Sequence, residues 1–178
     1  MTSDLQNRQL AAIGEVVAAS ERLGVHVWLR GGWAMDFLLG RVTRPHTDID
    51  WFAHHDEAPR LILALTDLGY TLAPEPPSHA QQLDLSRGDI EHSFALLAAD
   101  PTGRLTVAGG PWAGSPWPDG MLDNEPRALA GVHCPIITAQ AQIEIKQMMS
   151  VWVPGRPRRP KDIADIAQLH AALAAPPA

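Results

Sequence analysis

One stretch constrains the fold of this chain more than any other. Trp28-Leu-Arg-Gly-Gly-Trp-Ala-Met-Asp36 is followed by Gly40-Arg-Val-Thr-Arg-Pro-His-Thr-Asp-Ile-Asp50. His26 to Arg30 reads as a strand broken by Gly31-Gly32, and residues 33–39 as a short helix stopped by Gly40. Asp48 to Ala53 reads as a second strand. Residues two apart on a strand share a face, so Asp48 and Asp50 stand close and repel. A hard divalent cation with oxygen ligands relieves that repulsion, and Mg²⁺ at phosphates is the usual case. Glycine lets backbone N–H groups come close to a phosphate, and a helix N-terminus favours its charge. Arg41 and Arg44 stand between these elements, where they can clamp phosphate oxygens or pair with Asp36 and the other carboxylates. Together these parts describe metal-assisted phosphoryl or nucleotidyl transfer.

Such a site calls for a third carboxylate on a neighbouring strand. Leu83 to Ser86 and Ile90 to Leu97 read as strands joined by Arg87-Gly88-Asp89. Glu91 ranks first, Asp89 second because it lies nearer the turn, and Asp84 third. Around this centre the chain reads as mixed α/β with helices at both ends. An opening helix spans 4–23 with a Ser3/Gln6 capping box and the stripe Leu10, Ile13, Val17, Leu23. Asp56 is expected to cap a helix over 57–68, and Arg104 to Val107 and Val132 to Ile137 are further strands. Thr138 is expected to cap a helix over 139–152, and a basic linker from Pro154 to Pro160 leads to a last helix over 161–173. Lys146 lies beside the apolar stripe of its helix, where it either snorkels or reaches toward the site. Lys161, Asp162 and Asp165 read as a charge cluster at a helix start. Trp33 reads as core, and Trp112 and Trp117 sit in a Pro- and Gly-rich loop that can stack on a substrate. His54-His55 point to opposite faces of a strand, which argues against a shared metal.

Composition narrows the substrate. Net charge is −6, and twelve of the fourteen basic residues are Arg, which argues against a nucleic-acid partner. The balance suits a small cationic ligand, with Asp119, Asp123 and Glu125 as acids able to face one. Lone Cys134 excludes a disulfide framework. No apolar run approaches the ~20 residues of a bilayer helix, and the N-terminus lacks a secretory layout, so the expected location is the cytoplasm.

The quoted segments resemble the DNA polymerase β type of nucleotidyltransferase. More narrowly, Gly-Gly-Trp-x-x-Asp followed by Leu-Gly-Arg-x-Thr-Arg-x-His-x-Asp-Ile-Asp is similar to the aminoglycoside 2''-adenylyltransferases and small lincosamide nucleotidyltransferases. The fifteen residues between Gly32 and Asp48 fit that group. Arg159-Pro-Lys-Asp-Ile-Ala-Asp165 resembles a C-terminal Lys-Asp-x-x-Asp helix of relatives. The resemblance implies an α+β fold, a mixed β-sheet flanked by helices with further C-terminal helices. It implies one nucleotidyltransferase domain over 1–178, with a core at about 24–137 and a helical part at about 138–174. Asp48, Asp50 and Glu91 would hold one or two Mg²⁺ and serve catalysis, with Glu91 also able to take the hydroxyl proton. Gly31, Gly32, Arg41, Arg44 and Lys146 would bind ATP. AMP would pass to a hydroxyl of a small molecule, an aminoglycoside-like antibiotic first and a lincosamide or other metabolite second. A toxin-type enzyme acting on tRNA or protein, or a non-catalytic binding module, is the rival reading. The expected assembly is a monomer or homodimer.

Overall fold

Alternating apolar and polar residues let one sheet bury a face and keep chemistry on the other. The computed structural model describes residues 4–74, 80–123 and 125–174, which places the Ser3 cap outside the described residues. Its sheet contains β1 (Val27–Arg30), β2 (Ile49–His54), β3 (Thr71–Leu72), β4 (Gln82–Arg87), β5 (Ile90–Ala99) and β6 (Leu105–Val107). The order is β1-β2-β5-β4-β3, with β6 on β5 as well; β2 and β5 run parallel and the other pairs antiparallel. One face, carrying Val27, Leu29, Ile49, Trp51, Phe94 and Leu96, is buried with α1 (Asp4–Leu23) and α3 (Ala58–Asp67). The other face carries Trp28, Phe52, Ala95 and Leu97, which join Met121, Ile137 and Ala141 in a second apolar cluster. Toward the start of β2 this second face turns polar: Arg30, Asp50, Ser93 and Asp84 stand in one row across four strands.

The helix expected at residue 33 begins two residues earlier, as α2 (Gly31–Leu39). Gly31 takes φ +71°, so the chain turns from strand into helix within one residue, a backbone state only glycine adopts freely. Gly40, in the left-handed region, closes α2 as expected. The late strand is shorter than expected. It is β8 (Val132–Cys134), paired with the unforeseen β7 (Arg127–Leu129), because Pro135 has no N–H to continue a ladder. Ile136 and Ile137 instead form isolated bridges to Leu29 and Leu122. Asp56 does not cap α3, whose N-cap position is Glu57 with no side-chain capping bond. Thr138 does cap α4 (Ala139–Trp152), its hydroxyl accepting from the Ala141 N–H at 3.3 Å. Pro160 starts α5 (Pro160–Ala174), and Met35, Ile143 and Leu169 tie α2, α4 and α5 together. No described helix is long and apolar enough to cross a membrane.

Candidate active site

The floor of the site follows from strand register. Arg30 lies opposite Asp50 and reaches its Oδ1 at 3.4 Å, with its guanidinium 5.0 Å from the Phe52 ring centre. Ser93 lies opposite Asp50 on the other side and donates to Asp84 Oδ1 at 2.7 Å. Asp48 sits just before β2, exposed, and accepts from the Thr47 hydroxyl at 3.1 Å. Asp48 and Asp50 both line one cleft, together with Gly31, Gly32 and Arg44.

The back wall is α2, entered without any side-chain cap. A Cβ on Gly31 would collide with Asp50 Oδ2, and one on Gly32 with His46 Nδ1. Both glycines therefore let the helix start press against the carboxylate and the imidazole. Behind them Asp36 is fully buried and accepts from Thr43 N–H at 3.1 Å, Thr43 Oγ1 at 2.5 Å and His46 Nε2 at 2.6 Å. Arg44 approaches His46 Nδ1 at 3.1 Å. A guanidinium can only donate, so Nδ1 accepts and Nε2 carries the hydrogen given to Asp36. This chain of bonds sets the loop between α2 and β2, and with it the direction of Arg44.

The roof comes from the C-terminal helices. Lys146 of α4 and Arg44 both donate to Asp165 Oδ2 of α5, at 2.8 and 3.2 Å. Asp165 is only 2% exposed. Burial pushes its pKa up, but Lys146 and Arg44 outweigh burial and hold it below the ordinary carboxylate value. Asp162 follows the same pattern, its burial overridden by Arg159, which donates through Nε and Nη2 at 2.9 Å each. Burial, then the charges of Arg159 and Arg44, lower the pKa of Lys161. Arg156, Arg159 and Lys161 line the cleft with Arg30, Arg44 and Lys146. An acid-floored cleft walled by six cations beside an uncapped helix start suits a polyphosphate held by metal.

Asp48, Asp50, Gly31, Gly32, Arg44 and Lys146 thus meet in one cleft. Glu91 is exposed and does not line it, although one step back in the β2–β5 register sets Glu91 level with Asp48 on the same face. Asp89 lies in the turn, gripped by both terminal nitrogens of Arg8, and Asp84 accepts from Gln82 and Ser93. Arg41 is exposed and bonded to Gln168 Oε1 at 3.3 Å, outside the cleft. Asp36 pairs with His46 and Thr43 rather than with Arg41 or Arg44. Trp33 is core, while His54 packs edge-on against Trp28 and His55 bonds the Leu97 carbonyl.

Sequence reasoning missed Arg30, Arg156, Arg159 and Lys161 as cleft residues. Arg30 was within reach of it, because antiparallel pairing of two strands joined through Gly31-Gly32 sets Arg30 beside Asp50. The other three depend on α5 packing back against α4 and α2, which no local pattern signals.

Comparison with known proteins agrees with this geometry. The sequence model of the family described as aminoglycoside-2''-adenylyltransferase matches residues 12–169. A 2''-aminoglycoside nucleotidyltransferase of Klebsiella pneumoniae is 44% identical over 46 residues, 26% of either chain. The match therefore spans about a quarter of that relative's length. A lincosamide resistance protein of Staphylococcus haemolyticus is 29% identical over 100 residues, 52% of this chain and 62% of that one. The structure of ANT(2'')-Ia in complex with adenylyl-2''-tobramycin superposes with a TM-score of 0.74 at 23% identity, covering 94% of this chain and 90% of that one. Lincomycin-bound LnuA, a lincosamide antibiotic adenylyltransferase, gives 0.69 at 21%, covering 93% and 96%. Identities this low establish shared fold alone. The family match takes in the glycine pair, both aspartates and the roof as far as Leu169, and on that breadth the chain belongs to the aminoglycoside-2''-adenylyltransferase family.

Proposed function

We propose that this chain, as one nucleotidyltransferase domain, moves AMP from Mg²⁺-ATP to a hydroxyl of a small-molecule antibiotic of the aminoglycoside or lincosamide kind. The observation that carries the reading is Asp48 and Asp50 on the floor of a cleft walled by cations and backed by an uncapped helix start. Among the described residues no three carboxylate, imidazole or thiol groups converge as a metal cage. Two carboxylates suffice for Mg²⁺, which completes its shell with phosphate oxygens and water. Asp48 and Asp50 would hold it, with Glu91 as the third carboxylate. When bound, the ion neutralises phosphate charge at the reacting phosphorus.

The chain's own residues do the rest. Gly31 and Gly32 admit the phosphates to the N–H groups of α2, and Arg44 and Lys146 balance their charge. Arg41, turned to Gln168, is left out of this set. The acceptor oxygen bonds to the α-phosphorus, the bond to the β-phosphate breaks, and pyrophosphate leaves. The hydroxyl proton passes to a carboxylate, for which Glu91 is the proposed base. The acidic balance of the chain favours a cationic acceptor at long range.

The test is pyrophosphate release from ATP and Mg²⁺ with tobramycin or lincomycin as acceptor. Asp48→Asn should lower turnover by about a hundredfold or more, as expected for loss of a metal ligand, while leaving the melting temperature within a degree or so, because Asp48 is exposed. Release unaffected by Asp48→Asn, or absent with every hydroxylated antibiotic tried, refutes the reading.

A further inference from the structure

An acceptor must reach the phosphate cleft, and a second cavity of about 730 Å³ adjoins it. Arg30, Met149 and Arg156 line both spaces. The volume falls within the range of small-molecule sites. Its walls are aromatic and thioether. Trp112 and Trp117 come from the loop after β6, and Met148 and Trp152 from the last turns of α4. Trp117 meets Trp152 edge-on at 6.3 Å and Phe52 at 4.9 Å, forming an aromatic corner.

The charge of this lining differs from that of the whole chain. It contains Arg30, Arg104 and Arg156 against one acid, Glu144. Glu144 and Arg156 have no ion-pair partner among the described residues. Two of the loop acids that the sequence offers to a cation are already paired. Asp119 pairs with Arg104 at 3.0 Å and Asp123 with Arg127 at 3.8 Å, and neither lines the cavity. Arg30 is paired with Asp50 at 3.4 Å and Arg104 with Asp119, so Glu144 and Arg156 are the unpaired charges of this wall among the described residues, and a polyamine would bring several ammonium groups to one open carboxylate. Ammonium groups left without a carboxylate in a partly dry site disfavour such a partner. Indole faces and methionine instead favour an alkyl or ring-bearing body.

We infer that the acceptor is a hydroxylated amphiphile with an apolar body and no more than one positive charge, met by Glu144, with its body against Trp117 and Trp152. This deepens the proposed transfer and rests on it for the direction of the hydroxyl. The cavity's preference can be measured without turnover.

Titration calorimetry of the full chain, free of nucleotide, compares lincomycin (one amine and an alkyl side chain) with tobramycin (several amines). Lincomycin should bind at least about tenfold tighter, a gap of about 1.4 kcal/mol. Trp152→Ala should weaken lincomycin by about tenfold, and Trp152→Phe should restore most of it. Gln147→Glu adds a second carboxylate to the same wall at nearly equal size and should narrow the preference by improving tobramycin. Tobramycin binding as tightly as lincomycin, no lincomycin binding, or indifference to Trp152→Ala overturns the inference. Thermal stabilisation by Mg²⁺-ATP, read on the same samples, reports on the phosphate cleft. If it persists while the acceptor preference fails, the cavity assignment alone falls. If it is absent, the transfer reading falls.

Discussion

Asp165→Asn tests the roof of the site. The carboxylate is 2% exposed and bonds Lys146 Nζ at 2.8 Å and Arg44 at 3.2 Å, with the Lys146 side chain itself 9% exposed. Removing one partner of a buried ion pair costs about 3–5 kcal/mol, because the other charge is left without compensation. Asn keeps one acceptor oxygen, so the lower figure of about 3 kcal/mol applies. For a chain of 178 residues, about 2–4 °C per kcal/mol translates this into a fall of roughly 6–12 °C in melting temperature. The pH dependence has a definite sign. The folded carboxyl lies below the ordinary value of 3.8, so its stabilisation is present above 3.8 and fades as pH falls through the folded value. The gap between wild type and Asp165→Asn should therefore be full at neutral pH and shrink in acid. Circular dichroism melts across that range provide the assay. Saturating ATP should also narrow the gap, because phosphate oxygens then face the two freed cations. A melting temperature within about a degree of wild type at neutral pH, or a gap independent of pH, would refute the argument that Asp165 holds Lys146 and Arg44 in place.

Three further outcomes follow from the same geometry. Gly31→Ala should reduce adenylyl transfer by about tenfold or more in pyrophosphate-release assays, since φ +71° and contact with Asp50 both oppose a Cβ; near-normal turnover would remove the close-approach argument. His46→Ala leaves Asp36 buried with Thr43 alone and should cost about 3 kcal/mol in urea unfolding. Thr138→Ala removes the side-chain cap of α4 and should cost about 1 kcal/mol by the same measurement.

Much of the floor was legible because local rules determine it. Strand alternation puts Asp48 and Asp50 on one face, and Gly31 is required wherever a strand turns at once into a helix. Cap chemistry ended α2 at Gly40 and began α4 at Thr138. In the sequence the glycine pair reads as a break ahead of the helix, whereas it forms the first turn of α2 itself. Val132 to Ile137 reads as one apolar strand, but Pro135 ends β8 at Cys134.

By itself, then, the sequence determined the chemistry available: two carboxylates in register, glycines beside them, and a family resemblance along the chain. Tertiary structure decided which charges act together. Arg156, Arg159 and Lys161 reach the cleft only because α5 packs on α4 and α2, an arrangement set by burial of Met35, Ile143 and Leu169 across long sequence separations. The same packing commits Lys146 and Arg44 to Asp165, and loop closure commits Asp119 to Arg104 and Asp123 to Arg127. Net charge counts these pairs without knowing them. The charge of each cavity wall depends on which partners the fold brings within reach, and only the folded chain specifies that.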